Sequence, residues 1–274
     1  MSGTVAFGIF FIVVFYTIRR TRRLNSKKPK YDSRGHLIIP KNSTGPKVSL
    51  ELDQIIRTLE YRFPSFTLMT ENERKKISSR TYIIHQSKEF YGMEEFNLTR
   101  EHEIVISATL AKLTLGLGNR FELPSFEMIQ IYPQTFYSKL IEKHVNGLTL
   151  GNGRIFLSWK HFENGMANES DKIHVGLHEF AHALMIEFDH FNYLPQWKTW
   201  MSIAQPIMLE VRSSSLHFFR QYGGTNIQEF WAVTIETFFE QPFEFRAQYP
   251  RLYNATVAML NQDPCARQEI FDAN

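Results

Sequence analysis

Two histidines one helical turn apart, His178 and His182, lie in SDKIHVGLHEFAHALMIEF (residues 170–188), and few arrangements of chain can accommodate them. A helix advances about 100° per residue, so positions i and i+4 share a face. Ile173, Leu177, Phe180, Ala181, Leu184 and Phe188 recur at three- and four-residue steps, the spacing of a helix with a buried stripe. On such a helix both imidazoles reach one small cation. His174 sits one turn further back on the same face. It is assigned to a supporting or packing role, because the pair already completes the two-histidine bite.

Glu179 follows the first histidine and is placed to act on a water rather than to bind the ion. His-Glu-x-x-His is a metallopeptidase signature, with two imidazoles on zinc and the glutamate as general base. The competing reading is an amphipathic core helix with two histidines by chance. A third protein ligand separates the two readings, since catalytic zinc takes three protein ligands and a water. A metzincin would place glycine and a third histidine where Met185 and Phe188 stand, so that class is excluded. The remaining choice is a downstream carboxylate: Glu187, Asp189, Glu210, Glu229, Glu236 or Glu240. Glu187 and Asp189 follow too closely on the same helix to turn back onto the ion. Glu229 and Glu236 are seven residues apart, on one face of a helix otherwise made of Phe230, Trp231, Val233, Ile235, Phe238 and Phe239. Buried carboxylates there need a cation or donor, and zinc and a ligating histidine are such partners. Asn226 with Glu229 equally reads as a capping box, which needs no metal. Spacing alone ranks Glu229 above Glu210 by little.

The chain of 274 residues is 43% hydrophobic with 24 Phe, enough for a substantial core. A lone cysteine, Cys265, excludes an internal disulfide. Four N-x-[ST] sequons, at Asn42, Asn97, Asn168 and Asn254, are read as chance. Residues 1–30 hold seven Lys and Arg and no acid, so the +3 of the whole chain leaves −4 for the remainder. That mildly acidic remainder has no basic stripe, which argues against nucleic-acid binding. Met1 to Ile18 is uncharged and, as a helix, spans about 27 Å, enough for a bilayer core. A cleaved signal peptide carries its charge before the apolar run; here Arg19, Arg20, Arg22 and Arg23 come after it. The expectation is an uncleaved transmembrane anchor over residues 1–18 and a basic, mobile tether over 19–47. The positive-inside rule puts a domain of residues 48–274 at the cytoplasmic face of the inner or cytoplasmic membrane.

Within that domain, SLELDQIIRTLEYRF and ENERKKISSRTYIIHQSKEFYG read as helices, with a third opening near Asn97 and running through Ile104–Leu113. FEMIQIYP reads as a strand and residues 144–159 as a hairpin turned by Gly151-Asn152-Gly153. A strand so close before the histidine helix reads equally as an ordinary member of the sheet or as a free edge for an extended peptide added as a further strand. Tyr193–Trp200 reads as a loop and Ile203–Arg220 as a helix. Asn226 caps a last long helix to about Glu240.

HEFAH, YGGTNIQEFWAVTIETFFEQP and YPRLYNATVAMLNQDP, in that order, closely resemble the Mlc titration factor A (MtfA) family of zinc-dependent peptidases. NLTREHEIVISATLAKLTLGL, IYPQTFY and RIFLSW also look like that family, and the likeness runs from about residue 50 to 264. The resemblance implies a gluzincin-like α+β metallopeptidase domain, mostly helical with a small sheet. It implies Glu229 as third zinc ligand, Tyr222 as a residue assisting catalysis, and Glu236 as an acid behind the ligands. It also implies aminopeptidase-like action on short peptides and, for some members, a repressor partner. No partner-binding motif stands in this sequence, so that partner is not carried over. Two positions depart from the family pattern: Met185 follows Leu184 where the family usually has Asp, and His174 stands where members often have Asn. A reading of another class is a membrane-tethered regulatory protein that sequesters a cytoplasmic partner around a structural or vestigial zinc site. Intact Glu179 and Tyr222 argue against it, because a purely structural site needs neither.

Overall fold

A computed structural model describes residues 30–31, 37–38, 46–67, 69–117, 122–190, 194–214 and 216–266. The expected anchor over residues 1–18 and most of the tether lie outside the described residues. Among those residues no helix is long and apolar enough to cross a membrane. Within the tether, β1 (Lys30–Tyr31) pairs antiparallel with β2 (Leu37–Ile38).

The domain opens with α1 (Pro46–Arg62), the single turn α2 (Pro64–Thr67) and α3 (Glu71–Ser87). Thr70 caps α3 in a reciprocal box with Glu73, and Glu71 and Glu73 add favourable charge at the positive end of the helix. The chain then turns into β3 (Glu89–Gly92) and α4 (Arg100–Thr114). Two expectations are corrected here. Helix α3 stops at Ser87, because Glu89–Gly92 pairs in register with a later strand. Helix α4 starts behind Thr99, which accepts from the His102 N–H, and not at Asn97. The residues Ile104–Ala111 of α4 are buried on every side, as in a helix packed on two faces.

The sheet forms from β3, β4 (Met128–Tyr132), and the hairpin β7 (Gly147–Leu150) and β8 (Arg154–Ser158); a small hairpin of β5 (Phe136–Ser138) and β6 (Lys143–Val145) lies between. The order is β3-β4-β8-β7, parallel for the first three and antiparallel at the last step. The expected hairpin is therefore narrower than residues 144–159: Lys143–Val145 pairs with β5, and Trp159 already opens α5 (Trp159–Ala167).

Helix α6 (Val175–His190) carries both histidines and packs against α4, β7 and β8. Next come α7 (Leu194–Ser213), a 3-10 turn at Gln221–Gly224, α8 (Ile227–Glu240), α9 (Pro242–Gln248) and α10 (Pro250–Leu260). Helix α7 takes in most of the aromatic stretch expected as a loop and ends seven residues before Arg220. The reason is packing. Trp197, Trp200 and Trp231 form a stacked and edge-on cluster with Phe188, which draws the start of α7 into helix against α6 and α8. Trp231 Nε1 donates to the Ala181 carbonyl at 2.8 Å and Trp200 Nε1 to Thr256 Oγ1 at 3.1 Å. The first of these bonds fixes α8 against the histidine turn of α6.

Candidate metal centre

His178 and His182 leave α6 one turn apart, and α8 crosses in front of them. Asn226 begins α8 by accepting the Glu229 N–H at 2.9 Å, as a helix cap does. The capping box is not closed, however. The Glu229 carboxylate turns away from the Asn226 N–H and toward the histidines. His178 Nε2, His182 Nε2 and Glu229 Oε2 form a triangle with sides of 3.1, 3.2 and 3.3 Å. A tetrahedral ion with bonds of about 2.0–2.1 Å sets its ligand atoms close to 3.3 Å apart. The triangle thus fits a zinc ion as it stands, and it is the one His/Cys/Asp/Glu group among the described residues compact enough for a metal.

All three residues are almost fully buried. Burial opposes charge on His178, but Glu236 and Glu229 outweigh it and lift the imidazole to about 10. Burial likewise raises Glu229, yet His182 and His178 overcome it and bring the carboxyl down to about 2. The proton held between these groups marks a place for positive charge, and a divalent ion bound there would take over that charge.

Of the six carboxylates weighed as third ligand, only Glu229 joins the triangle among the described side chains. Glu187 is buried with Oε1 accepting the Ser125 N–H, Glu210 is exposed, and the side chain of Asp189 lies outside the described residues. Glu240 ends α8, three turns from Glu229. Glu236 stands behind the ligands: its Oε2 faces His178 Nδ1 at 3.0 Å and its Oε1 accepts the His174 N–H at 2.8 Å. With Nδ1 donating to Glu236, loss of the Nε2 proton on metal binding would leave the lone pair of His178 Nε2 facing the triangle. Burial raises Glu236, but Arg220 and His178 outweigh it and hold the carboxyl below its usual range. His174 contributes through its backbone. Its ring packs edge-on to Phe162, and burial keeps the imidazole neutral, near 3.

Glu179 is fully buried on the sheet side of α6. Burial pushes it up to about 7 against the pull of His182 and His178. Thr149 of β7 donates to Glu179 Oε2 at 2.7 Å. Gly147 of the same strand leaves the space its carboxylate fills, since a Cβ there would lie 2.5 Å from Oε1. Ser158 N–H donates to Asn146 O, so by antiparallel alternation Leu148 and Leu150 also bond to β8. Gly147 and Thr149 then turn their backbone N–H and C=O away from β8, to the side of β7 on which no strand pairs among the described residues. Tyr222 lies in the 3-10 turn with its ring 6.0 Å from that of His178, centroid to centroid. Gly147, Thr149 and Arg220, whose guanidinium meets Glu236, were not singled out by the sequence. Their spacing to Glu179 and Glu236 has no local period, and only the fold brings them together.

The family described as glucose-regulated metallo-peptidase M90 matches residues 48–260. An uncharacterised protein of Synechocystis is 28% identical over 214 residues, covering 70% of this chain and 78% of its own. Mlc titration factor A of Escherichia coli is 23% identical over 232 residues, covering 74% and 84%. The protein of that name in Pectobacterium atrosepticum is 22% identical over 252 residues, covering 80% and 92%.

Proposed function

We propose, from the premise that this chain belongs to the glucose-regulated metallo-peptidase M90 family, that it hydrolyses peptide bonds with zinc held by His178, His182 and Glu229. The triangle of donor atoms with 3.1–3.3 Å sides carries the reading. Zinc supplies a water acidified toward neutral pH and Lewis-acid polarisation of the scissile carbonyl. The chain's own residues do the rest. Glu179, buried and near 7, takes a proton from the attacking water and returns it to the leaving amine. Thr149 holds one of its oxygens and leaves Oε1 to act. Tyr222 donates its phenol proton toward the developing oxyanion. The side of β7 that pairs with no described strand would offer Gly147 and Thr149 main-chain groups to an extended peptide next to Glu179.

This arrangement is gluzincin-like, and the family resemblance supports aminopeptidase-like action on short peptides. The apolar run before the arginines supports a single-pass anchor that holds the domain at the cytoplasmic face of the membrane, which carbonate extraction of membranes tests. A second reading is favoured by the near-complete burial of the centre: a regulatory protein that binds a cytoplasmic partner, with zinc as a structural element. One experiment separates the two. Full-length wild type and Glu179→Gln are assayed on fluorogenic aminoacyl and peptide substrates, each with its zinc content measured. Turnover by wild type, lost in a zinc-loaded Glu179→Gln protein, supports the peptidase. Full zinc occupancy without turnover on any substrate supports the regulatory protein.

A further inference from the structure

Glu236 meets three groups from two separate stretches of chain. Its Oε2 faces His178 Nδ1 of α6 at 3.0 Å and the Arg220 guanidinium, and its Oε1 accepts the His174 N–H at 2.8 Å. Arg220 is the residue immediately before the turn that carries Tyr222. It takes part in that turn, since its carbonyl accepts the Gly223 N–H at 2.9 Å. The far end of the turn is held as well. Arg212 of α7 donates to the Gly224 carbonyl at 2.7 Å and to the Thr225 carbonyl at 3.0 Å. A Cβ on Gly224 would lie 2.6 Å from the Arg212 backbone, so the turn sits flush on α7. The Tyr222 turn is thus held at one end against α7, and at its other end Arg220 links it to the acid behind His178.

That side chain is suited to the task. Arginine presents a rigid, permanently charged fork, and its bonds to a carboxylate are stronger than neutral ones. Glu236 is almost fully buried, so the pair is poorly screened by solvent. We propose that Arg220 is a positioning residue that sets the spacing between Tyr222 and His178, acting through Glu236 on one side and through the turn on the other. It touches neither metal nor substrate. The inference rests on the proposed roles of His178 as a ligand and Tyr222 as the oxyanion donor.

Hydrogen exchange on the full chain tests it without metal or turnover. In Arg220→Met the amides of Gly223, Thr225 and His174 are expected to exchange about ten- to a hundredfold faster, the factor for a lost bond to a charged group. Amides of α10 keep their rates, and Arg220→Lys restores part of the protection. Acceleration that extends equally to α10 would make Arg220 a residue of general stability. Unchanged exchange at Gly223 and Thr225 would mean that the turn is held without it. Either result overturns the proposal. A double-mutant cycle of Arg220→Met with Tyr222→Phe, at matched zinc content, adds a kinetic arm. The losses are expected in kcat more than KM, and the double variant should lose less than the product of the single factors. Losses that multiply overturn the proposal. A wild-type chain inactive on every substrate would count against the peptidase reading instead, and the exchange arm would still decide whether Arg220 ties the turn to Glu236.

Discussion

Gly147→Ala adds one methyl group beside the general base. The backbone of Gly147 is not in the left-handed region, so alanine adopts its conformation without strain. The conflict lies in space alone. The new Cβ would stand 2.5 Å from Glu179 Oε1, 2.7 Å from Cγ and 2.8 Å from Cδ. Carbon atoms rest about 3.5–4.0 Å apart, so the carboxylate must move by about 1 Å. It cannot swing into solvent, because Glu179 is fully buried and its Oε2 is held by Thr149. A misplacement of about 1 Å costs about a hundredfold in rate, equivalent to about 2.7 kcal/mol at the transition state. The overpacking itself should cost about 1–3 kcal/mol of stability. The methyl group leaves the outward N–H and C=O of β7 in place, so the loss is expected in kcat while KM changes little. Steady-state kinetics on any substrate the wild type cleaves gives the answer, with zinc content and thermal unfolding measured on the same preparations. A zinc-loaded, folded Gly147→Ala protein with kcat close to wild type would refute the placement of Glu179 against β7.

Thr149→Val keeps the shape of the side chain and removes its donor to Glu179; kcat should fall about ten- to a hundredfold, with Thr149→Ser recovering most of it. Stability should also depend on pH through Glu240. Burial and the neighbouring Glu236 push its carboxyl up from 4.5 to about 8, against Lys112. The folded chain keeps a proton there that the unfolded chain releases, so this group's contribution to stability declines as pH rises from 4.5 to about 8. Glu240→Gln is therefore expected to gain about 1–3 kcal/mol near neutral pH and nothing in acid below the ordinary carboxylate pKa, by denaturant titration at the two pH values. Removing zinc with a chelator should lower the unfolding temperature. At a free-ion level a thousandfold above Kd the bound ion contributes about 4 kcal/mol, and re-addition of zinc should restore the temperature. A melting point indifferent to chelation would count against a bound ion.

The histidine helix was legible in the sequence because its two imidazoles and most of its apolar stripe share one period, and the structure gives α6 over Val175–His190; Ile173, counted in that stripe, lies before the helix and is exposed. The last long helix and its Asn226 cap were legible for the same local reason. The third ligand was harder. Asn226 followed by Glu229 suits a capping box as well as a ligand, and the two differ only in where one carboxylate turns. Trp231, bonded to Ala181, sets α8 across α6 and so decides that direction. Glu89–Gly92 continues a helical pattern in the sequence, and its fate as a strand depends on β4, a partner some forty residues further on. The start of α7 was misread because the pull of Trp197 and Trp200 toward Trp231 is tertiary. Gly147, Thr149 and Arg220 carry no pattern at all: each acts on a carboxylate held by a different element.

The most direct measurement is zinc titration by calorimetry on the full-length chain and on Glu229→Ala. The account predicts one tight site in wild type, and an affinity weakened by about a hundredfold or more when the third ligand is removed while both histidines remain. Equal affinity in the two proteins would contradict the three-ligand centre on which the rest of the account stands.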